Sequence, residues 1–168
     1  MMKLIVAVNE NWGIGSDNDL LYHIPEDMKF FRGKTKDNVI IVGRKTLESF
    51  PGGNPLKNRT NIVLTTDKNY KKDDVIVVNS KEELFLELKN HKDKEIYLCG
   101  GEQIYKLLYS YCDIAYVTKI EDNKPAQKYM QNLYNESDWE IIEQSELLED
   151  NGLKFKFVTY KNKSPLAF

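Results

Sequence analysis

The residues best suited to chemistry lie in one stretch, Leu20 to Arg32, reading LLYHIPEDMKFFR. Pro25 suits the first turn of a helix, where its missing N–H has no partner to lose. A helix starting there puts Ile24, Asp27, Met28 and Phe31 at i, i+3, i+4 and i+7, on one face. That face is the apolar stripe of an amphipathic helix, with Asp27 in its middle. Glu26, with Lys29 three residues on, looks outward by the same geometry. A carboxylate on a buried face either meets a partner or keeps its proton at a raised pKa. The preference of acids for a first helical turn accounts for Glu26 as well as Asp27. It does not account for an acid on the apolar side, so Asp27 is the candidate for proton chemistry.

A second set of residues could hold anions. Gly100-Gly101 follows an apolar run ending at Cys99 and opens a helix, so bare backbone N–H groups face any ligand there. A Gly-Gly pair also serves as a plain tight turn. Gly43 follows Val42 in the same way, with Arg44, Lys45 and the Thr46 hydroxyl beside it. Two cations at a helix start oppose the dipole, and a bound anion explains them better than a structural role. Thr65 and Thr66 add two hydroxyls after Leu64. Two separate anion seats suit a dinucleotide bearing an additional phosphate. An NAD site would carry an acid at the end of the second strand for the ribose hydroxyls; none is there, which favours NADP.

These groups need a scaffold that gathers strand ends. Leu4 to Val8, Val39 to Val42, Ile62 to Leu64, Val75 to Val78, Glu95 to Cys99 and Asp113 to Ile120 read as buried strands. Helices are expected from Pro25 to about Arg32, with Gly33 as the stop, and after Gly43, Ser80 and Gly101. Ser80 is an N-cap, with Glu83 at the capping-box position. Asn9 to Asp19 reads as a flexible loop whose Trp12 and Ile14 are exposed, a flap over something flat. The polar segment Glu121 to Gln131 interrupts the pattern. Trp139 to Ile142 and Leu153 to Tyr160 read as a closing antiparallel hairpin turned at Asp150-Asn151-Gly152. The expected fold is an α/β single domain over residues 1–168. It has a mainly parallel central sheet of about eight strands, a C-terminal antiparallel hairpin and about four flanking helices.

Composition bounds the partners. The 24 Lys plus Arg against 26 Asp plus Glu give a net charge of -2, which argues against nucleic acid. Leu4 to Val8 is too short for a signal peptide core or a membrane span, so the cytoplasm is the expected compartment. Cys99 and Cys112 show no metal or redox spacing and read as buried free thiols.

The order and spacing of several motifs resemble bacterial dihydrofolate reductase along almost the whole chain. They are the first strand with Ala7, the Ile14-Gly15 loop, the Pro25-x-Asp27 helix with Phe31, and Gly43-Arg44-x-Thr46. Arg59, Gly100-Gly101 with Tyr105, and Thr118 complete the set. The resemblance implies reduction of 7,8-dihydrofolate to tetrahydrofolate by hydride transfer from NADPH, supplying one-carbon metabolism. Asp27 would bridge the pterin and assist its protonation, with Tyr22 as the second catalytic residue and Thr118 backing Asp27. Ile5, Val6, Ala7, Met28, Phe31, Phe50 and Leu56 would line the folate site, and Arg59 would grip the glutamate-tail carboxylate. Arg44, Lys45, Thr46, Leu64, Thr65 and Thr66 would bind around the adenosine 2′-phosphate, with Gly43 opening that turn. Cys99, Gly100, Gly101, Glu102, Gln103, Ile104 and Tyr105 would hold the pyrophosphate and flank the nicotinamide, which Ala7 also touches. Gly13, Ile14, Gly15, Ser16, Asp17, Asn18, Asp19 and Leu20 would form a mobile flap. The implied partners are small molecules, dihydrofolate and antifolate inhibitors, with no membrane, nucleic acid or metal, for a monomer.

Three positions depart from the family pattern. Tyr22 stands where Trp is usual, Gln103 where a cation is frequent, and Asn123 to Met130 lacks a Gly-Asp-Thr pattern that contacts the flap in some members. Two other readings compete. A pyrimidine reductase of riboflavin synthesis would share fold and NADPH but have less use for Asp27 and Arg59. A non-catalytic nucleotide-binding module leaves the buried acid unexplained.

Overall fold

Short β-branched runs alternate with amphipathic helices, and a computed structural model describing residues 1–168 shows how they assemble. The first half contains β1 (Met2–Val8), the short β2 (Gly13–Ser16) and β3 (Asp19–Leu20), α1 (Pro25–Thr35), β4 (Val39–Gly43), α2 (Arg44–Glu48), β5 (Thr60–Leu64) and β6 (Val75–Val78). Then follow α3 (Lys81–Leu88), β7 (Ile96–Leu98), α4 (Glu102–Leu108), β8 (Cys112–Ile120), β9 (Lys128–Tyr129), β10 (Trp139–Gln144), β11 (Leu148–Asp150) and β12 (Leu153–Asn162).

The main sheet has the order β10-β12-β8-β1-β7-β4-β5-β6, with β11 also on β12. Strands β8 to β6 of that order run parallel, whereas β12 pairs antiparallel with β8, β10 and β11. The mixed sheet, the C-terminal antiparallel strands and the four α-helices agree with the expected class. Alternation along the strands gives each face its own core. Leu4, Val6 and Val8 of β1 join Leu84 and Leu88 of α3 and Tyr105 and Leu108 of α4. Ile5 instead meets Phe30 and Phe31 of α1, with Phe50 and Leu56 beside them. Leu47 of α2 packs on Val42 and Val63 on that second face.

Four local expectations fail for physical reasons. Helix α1 runs through Gly33 to Thr35, because Thr35 is fully buried and its hydroxyl donates back to the Phe31 carbonyl at 2.9 Å. Trp12 is buried rather than exposed, set edge-on to Tyr160 at 6.2 Å. The flap is not a plain loop: β2 and β3 form a hairpin through Asp17 and Asn18, both at positive φ, and β2 pairs with β9 from the polar segment. The turn at Asn151-Gly152, again at positive φ, joins β11 to β12, and β10 reaches β12 separately.

Candidate active site

The parallel strands end together, and β1 is the point where the chain order reverses, with β7 on one side and β8 on the other. A cleft outside those carboxyl ends is where open α/β sheets place ligands. Asp27, in the first turn of α1, reaches it from above. Thr118 of β8, 2% exposed, donates its hydroxyl to Asp27 Oδ1 at 2.6 Å. None of the four ion pairs in the molecule includes Asp27. Burial pushes its carboxyl pKa above the ordinary carboxylate value, and the hydrogen bond from Thr118 opposes that shift. Such a group trades protons nearer neutrality than a solvated acid does.

The apolar wall is Ile5, with Phe31, Phe50 and Leu56 partly buried around it. Ala7 lies at the β1 end, next to Ile24 and Tyr22. Met28 is 42% exposed and does not pack in the core. The position that packs is its neighbour Phe30, stacked on Phe157 at 4.3 Å. The Val6 side chain joins the opposite core, with Leu4 and Val8.

Arg59 is partly buried and has no carboxylate within 4.0 Å. Its Nε donates to the Lys57 carbonyl at 3.0 Å and its guanidinium to the Thr35 hydroxyl at 3.2 Å. Burial and nearby Arg32 both lower its pKa from the ordinary arginine value, burial being the larger cause. The Asn61 side chain, 3% exposed, fixes this loop from below, donating to the Leu56 and Arg59 carbonyls and accepting from Leu56 N. A fixed, partly dried guanidinium without its own acid is suited to a ligand carboxylate.

On the other side, the two glycine turns touch each other. Gly43 N donates to the Gly100 carbonyl at 2.9 Å. A Cβ on Gly101 would stand 3.1 Å from Thr46 Oγ1, and one on Gly43 would stand 3.2 Å from Ile104. Gly100, at φ +116 and next to the Tyr105 ring, takes a conformation that L side chains rarely adopt. The Tyr105 hydroxyl donates to the Ile5 carbonyl at 2.7 Å, tying α4 to the floor of β1. Arg44 already has an acid, Glu48 at 3.0 Å, which leaves exposed Lys45 as the cation of this turn without one. Thr66 is exposed, whereas Thr65 Oγ1 accepts from Asp67 N, and the Leu64 side chain is in the large core. Gln103 is exposed on α4, and Glu102 Oε2 accepts from Tyr129 N at 2.7 Å. Burial pushes the Cys99 thiol up, so it remains a neutral part of the floor.

Tyr22 does not pair with Asp27. Its hydroxyl donates to Asp122 at 2.5 Å and accepts weakly from Asn9 at 3.4 Å. Burial and Asp122 raise its pKa, which keeps it a neutral donor. The same corner grips the flap. The Asn9 side chain, 3% exposed, accepts from Gly13 N and donates to the Lys124 carbonyl. Gln127 accepts from Asp17 N at 2.8 Å through its side chain and donates its own N–H to the Gly15 carbonyl. Ile14 and Ser16 are partly buried, Gly15 is buried, and Asp17 to Leu20 are exposed. Asn9, Asp122 and Gln127 escaped the sequence reading because a single polar residue in a polar stretch is indistinguishable from an ordinary turn residue. Asn61, directly before the apolar run Ile62 to Leu64 and within the same strand, was the one with a signal.

Comparison with known proteins bears on this geometry. A dihydrofolate reductase family model matches residues 1–162. Dihydrofolate reductase of Bacillus subtilis is 35% identical over 166 residues, spanning 98% of this chain and 96% of its own. That of Staphylococcus haemolyticus is 35% identical over 162 residues, 95% of each. The structure of dihydrofolate reductase from Enterococcus faecalis complexed with NADP(H) and RAB-propyl superposes with a TM-score of 0.88 at 31% identity, covering 96% of both chains. A partly buried acid held by Thr118 of β8, a guanidinium without an acid partner and paired glycine turns thus occur in a chain that belongs to the dihydrofolate reductase family.

Proposed function

We propose that this cleft reduces 7,8-dihydrofolate to 5,6,7,8-tetrahydrofolate with NADPH, Asp27 being the residue that holds the pterin and promotes its protonation. The observation that carries the assignment of Asp27 is its hydrogen bond from Thr118 in a partly buried site without any cation. A carboxylate so placed has one oxygen engaged and the other free for a flat heterocycle carrying adjacent N–H groups. Its raised proton affinity suits it to relay a proton toward the ring, while Ile5, Phe31, Phe50 and Leu56 keep water off the faces of that ring. Arg59 receives the anionic tail. Thr118 fixes the carboxyl orientation.

The residues opposite fit NADPH. The positive φ at Gly100 and the close approach of Gly101 to Thr46 make a cradle that a Cβ would fill, and Lys45 beside it lacks an acid. Gly43, Lys45, Thr46 and Gly100 to Tyr105 would hold the phosphates and ribose, with Thr65 and Thr66 at the adenosine end and Arg44 sharing its charge with Glu48. The bound cofactor supplies the hydride; the chain supplies position and field. The flap from Gly13 to Leu20 closes over the site. Tyr22, committed to Asp122 and Asn9, anchors the flap root and is not the proton donor. The same reading takes residues 1–168 as one unit, a cytoplasmic monomer open to antifolate inhibitors at the Asp27 end. No helix is long and apolar enough to cross a membrane, and a dimer in sedimentation would overturn the monomer.

The test is oxidation of NADPH by the purified protein, followed at the nicotinamide absorbance band, with dihydrofolate or a deaminated ribityl pyrimidine as acceptor. Consumption with dihydrofolate, lost in Asp27→Asn while NADPH still binds, supports the assignment. Consumption with the pyrimidine alone selects the riboflavin-pathway reaction, and binding without turnover selects a nucleotide-binding module.

A further inference from the structure

Helix α1 carries Asp27 but does not cap itself. Its N-cap is Ile24, which has no side-chain acceptor, and Pro25 at the next position has no N–H. The first free donor is therefore Glu26 N, one residue before Asp27. It is taken by a residue 124 positions away: Asp150 Oδ2 accepts from Glu26 N at 2.9 Å. The next residue of the same turn, Asn151, donates its side-chain amide to the His23 carbonyl at 3.4 Å. The β11–β12 turn thus holds the chain on both sides of Pro25.

The strands on either side of that turn are seated on the core. Leu148 and Leu153, flanking it, pack with fully buried Phe155 against Ile24, Ile120 and Tyr22. Strand β12 then pairs with β8 in a register that sets Phe155 opposite Ile120 and Phe157 opposite Thr118. Thr118 is the residue that donates to Asp27. One hairpin therefore fixes both ends of the catalytic contact, the helix start through Asp150 and the Thr118 hydroxyl through β8. A carboxylate at a helix N-terminus both accepts from a free N–H and complements the dipole.

We infer that Asp150 is a positioning residue for dihydrofolate reduction, a cap supplied from the C-terminal hairpin that sets where α1 starts and hence where the Asp27 carboxyl points. It touches neither substrate nor cofactor, so its loss acts on turnover through geometry. The inference rests on the proposed role of Asp27.

The experiment compares Asp150→Ala, Asp150→Asn and Asp27→Asn with the parent, measuring kcat, the KM for each substrate, NADPH affinity and thermal midpoint. Asp150→Ala is expected to lower kcat about tenfold, since displacement of a reacting group by an ångström is costly, with NADPH affinity unchanged. Asp150→Asn, which keeps an acceptor oxygen in place, restores most of that loss. An Asp150→Ala enzyme with a lowered midpoint and parental kcat overturns the inference, as does equal impairment by Asn and Ala. Should Asp150→Ala not fold, amide exchange in the parent decides: Glu26 N–H exchanging as fast as an unprotected amide overturns the cap. Full activity in Asp27→Asn sinks the reading of Asp27 itself, whereas an inactive Asp27→Asn beside a fully active Asp150→Ala sinks only the positioning role.

Discussion

The two sides of the cleft are built on opposite principles. The α1 side works with charge taken out of water: Asp27 and Arg59 are both partly buried, neither has an ion partner, and burial shifts both away from their charged forms. Their orientation comes from uncharged groups far along the chain, Thr118 for the acid and Thr35 for the guanidinium. The glycine side works with shape. Gly43, Gly100 and Gly101 leave room where side chains would collide, and its arginine is already neutralised by Glu48. The difference teaches that the α1 side carries desolvated charge at a cost in stability, while the glycine side leaves space where side chains would stand.

Substitutions should separate the two. The largest effect is expected from Asp27→Asn, with turnover at neutral pH falling about 10²–10⁴-fold, the usual weight of a positioned acid–base group. The same change should raise the thermal midpoint at neutral pH. The folded state raises the pKa of Asp27 above its unfolded value, so its stability contribution is fully present below the unfolded pKa and lost as pH rises through the folded pKa. The variant's advantage should therefore vanish in acid, and a midpoint difference independent of pH would contradict a desolvated carboxyl. Arg59→Ala should come next. Loss of a charge-assisted contact raises the KM for dihydrofolate by about 1.5–3 kcal/mol with little change in kcat. A steady-state titration showing an unchanged KM would remove Arg59 from the site.

Gly100→Ala tests the shape side. A side chain at φ +116 costs about 1–3 kcal/mol and brings its Cβ to 3.4 Å from the Tyr105 ring. Chemical denaturation should report the lost stability and fluorescence titration a weaker grip on NADPH. Lys45→Ala should give the smallest effect, below about 1 kcal/mol for an exposed charge, felt by NADPH and not by NADH. Equal effects on the two cofactors would place the extra phosphate elsewhere.

Periodicity made most of the sheet and the helix bearing Asp27 readable from sequence, and the acid stood out because it broke its own helix's apolar stripe. The glycine pairs were readable for a related reason: few residues can follow a buried strand with so little side chain. Local pattern misled at Trp12, whose polar neighbours hid that Tyr160 covers it, and at Gly33, where buried Thr35 carries the helix past a residue that ordinarily stops one. It was also silent on the partner of Tyr22, since nothing near position 22 announces Asp122.

What the sequence by itself determined was the set of groups: an acid on an apolar face, two cations at a helix start, glycines after buried strands. Those follow from side-chain chemistry and the 3.6- and 2-residue periods. Only the tertiary structure decided how each group is held, because its partners come from strands and turns up to 124 residues away, brought near by sheet pairing that no short window contains.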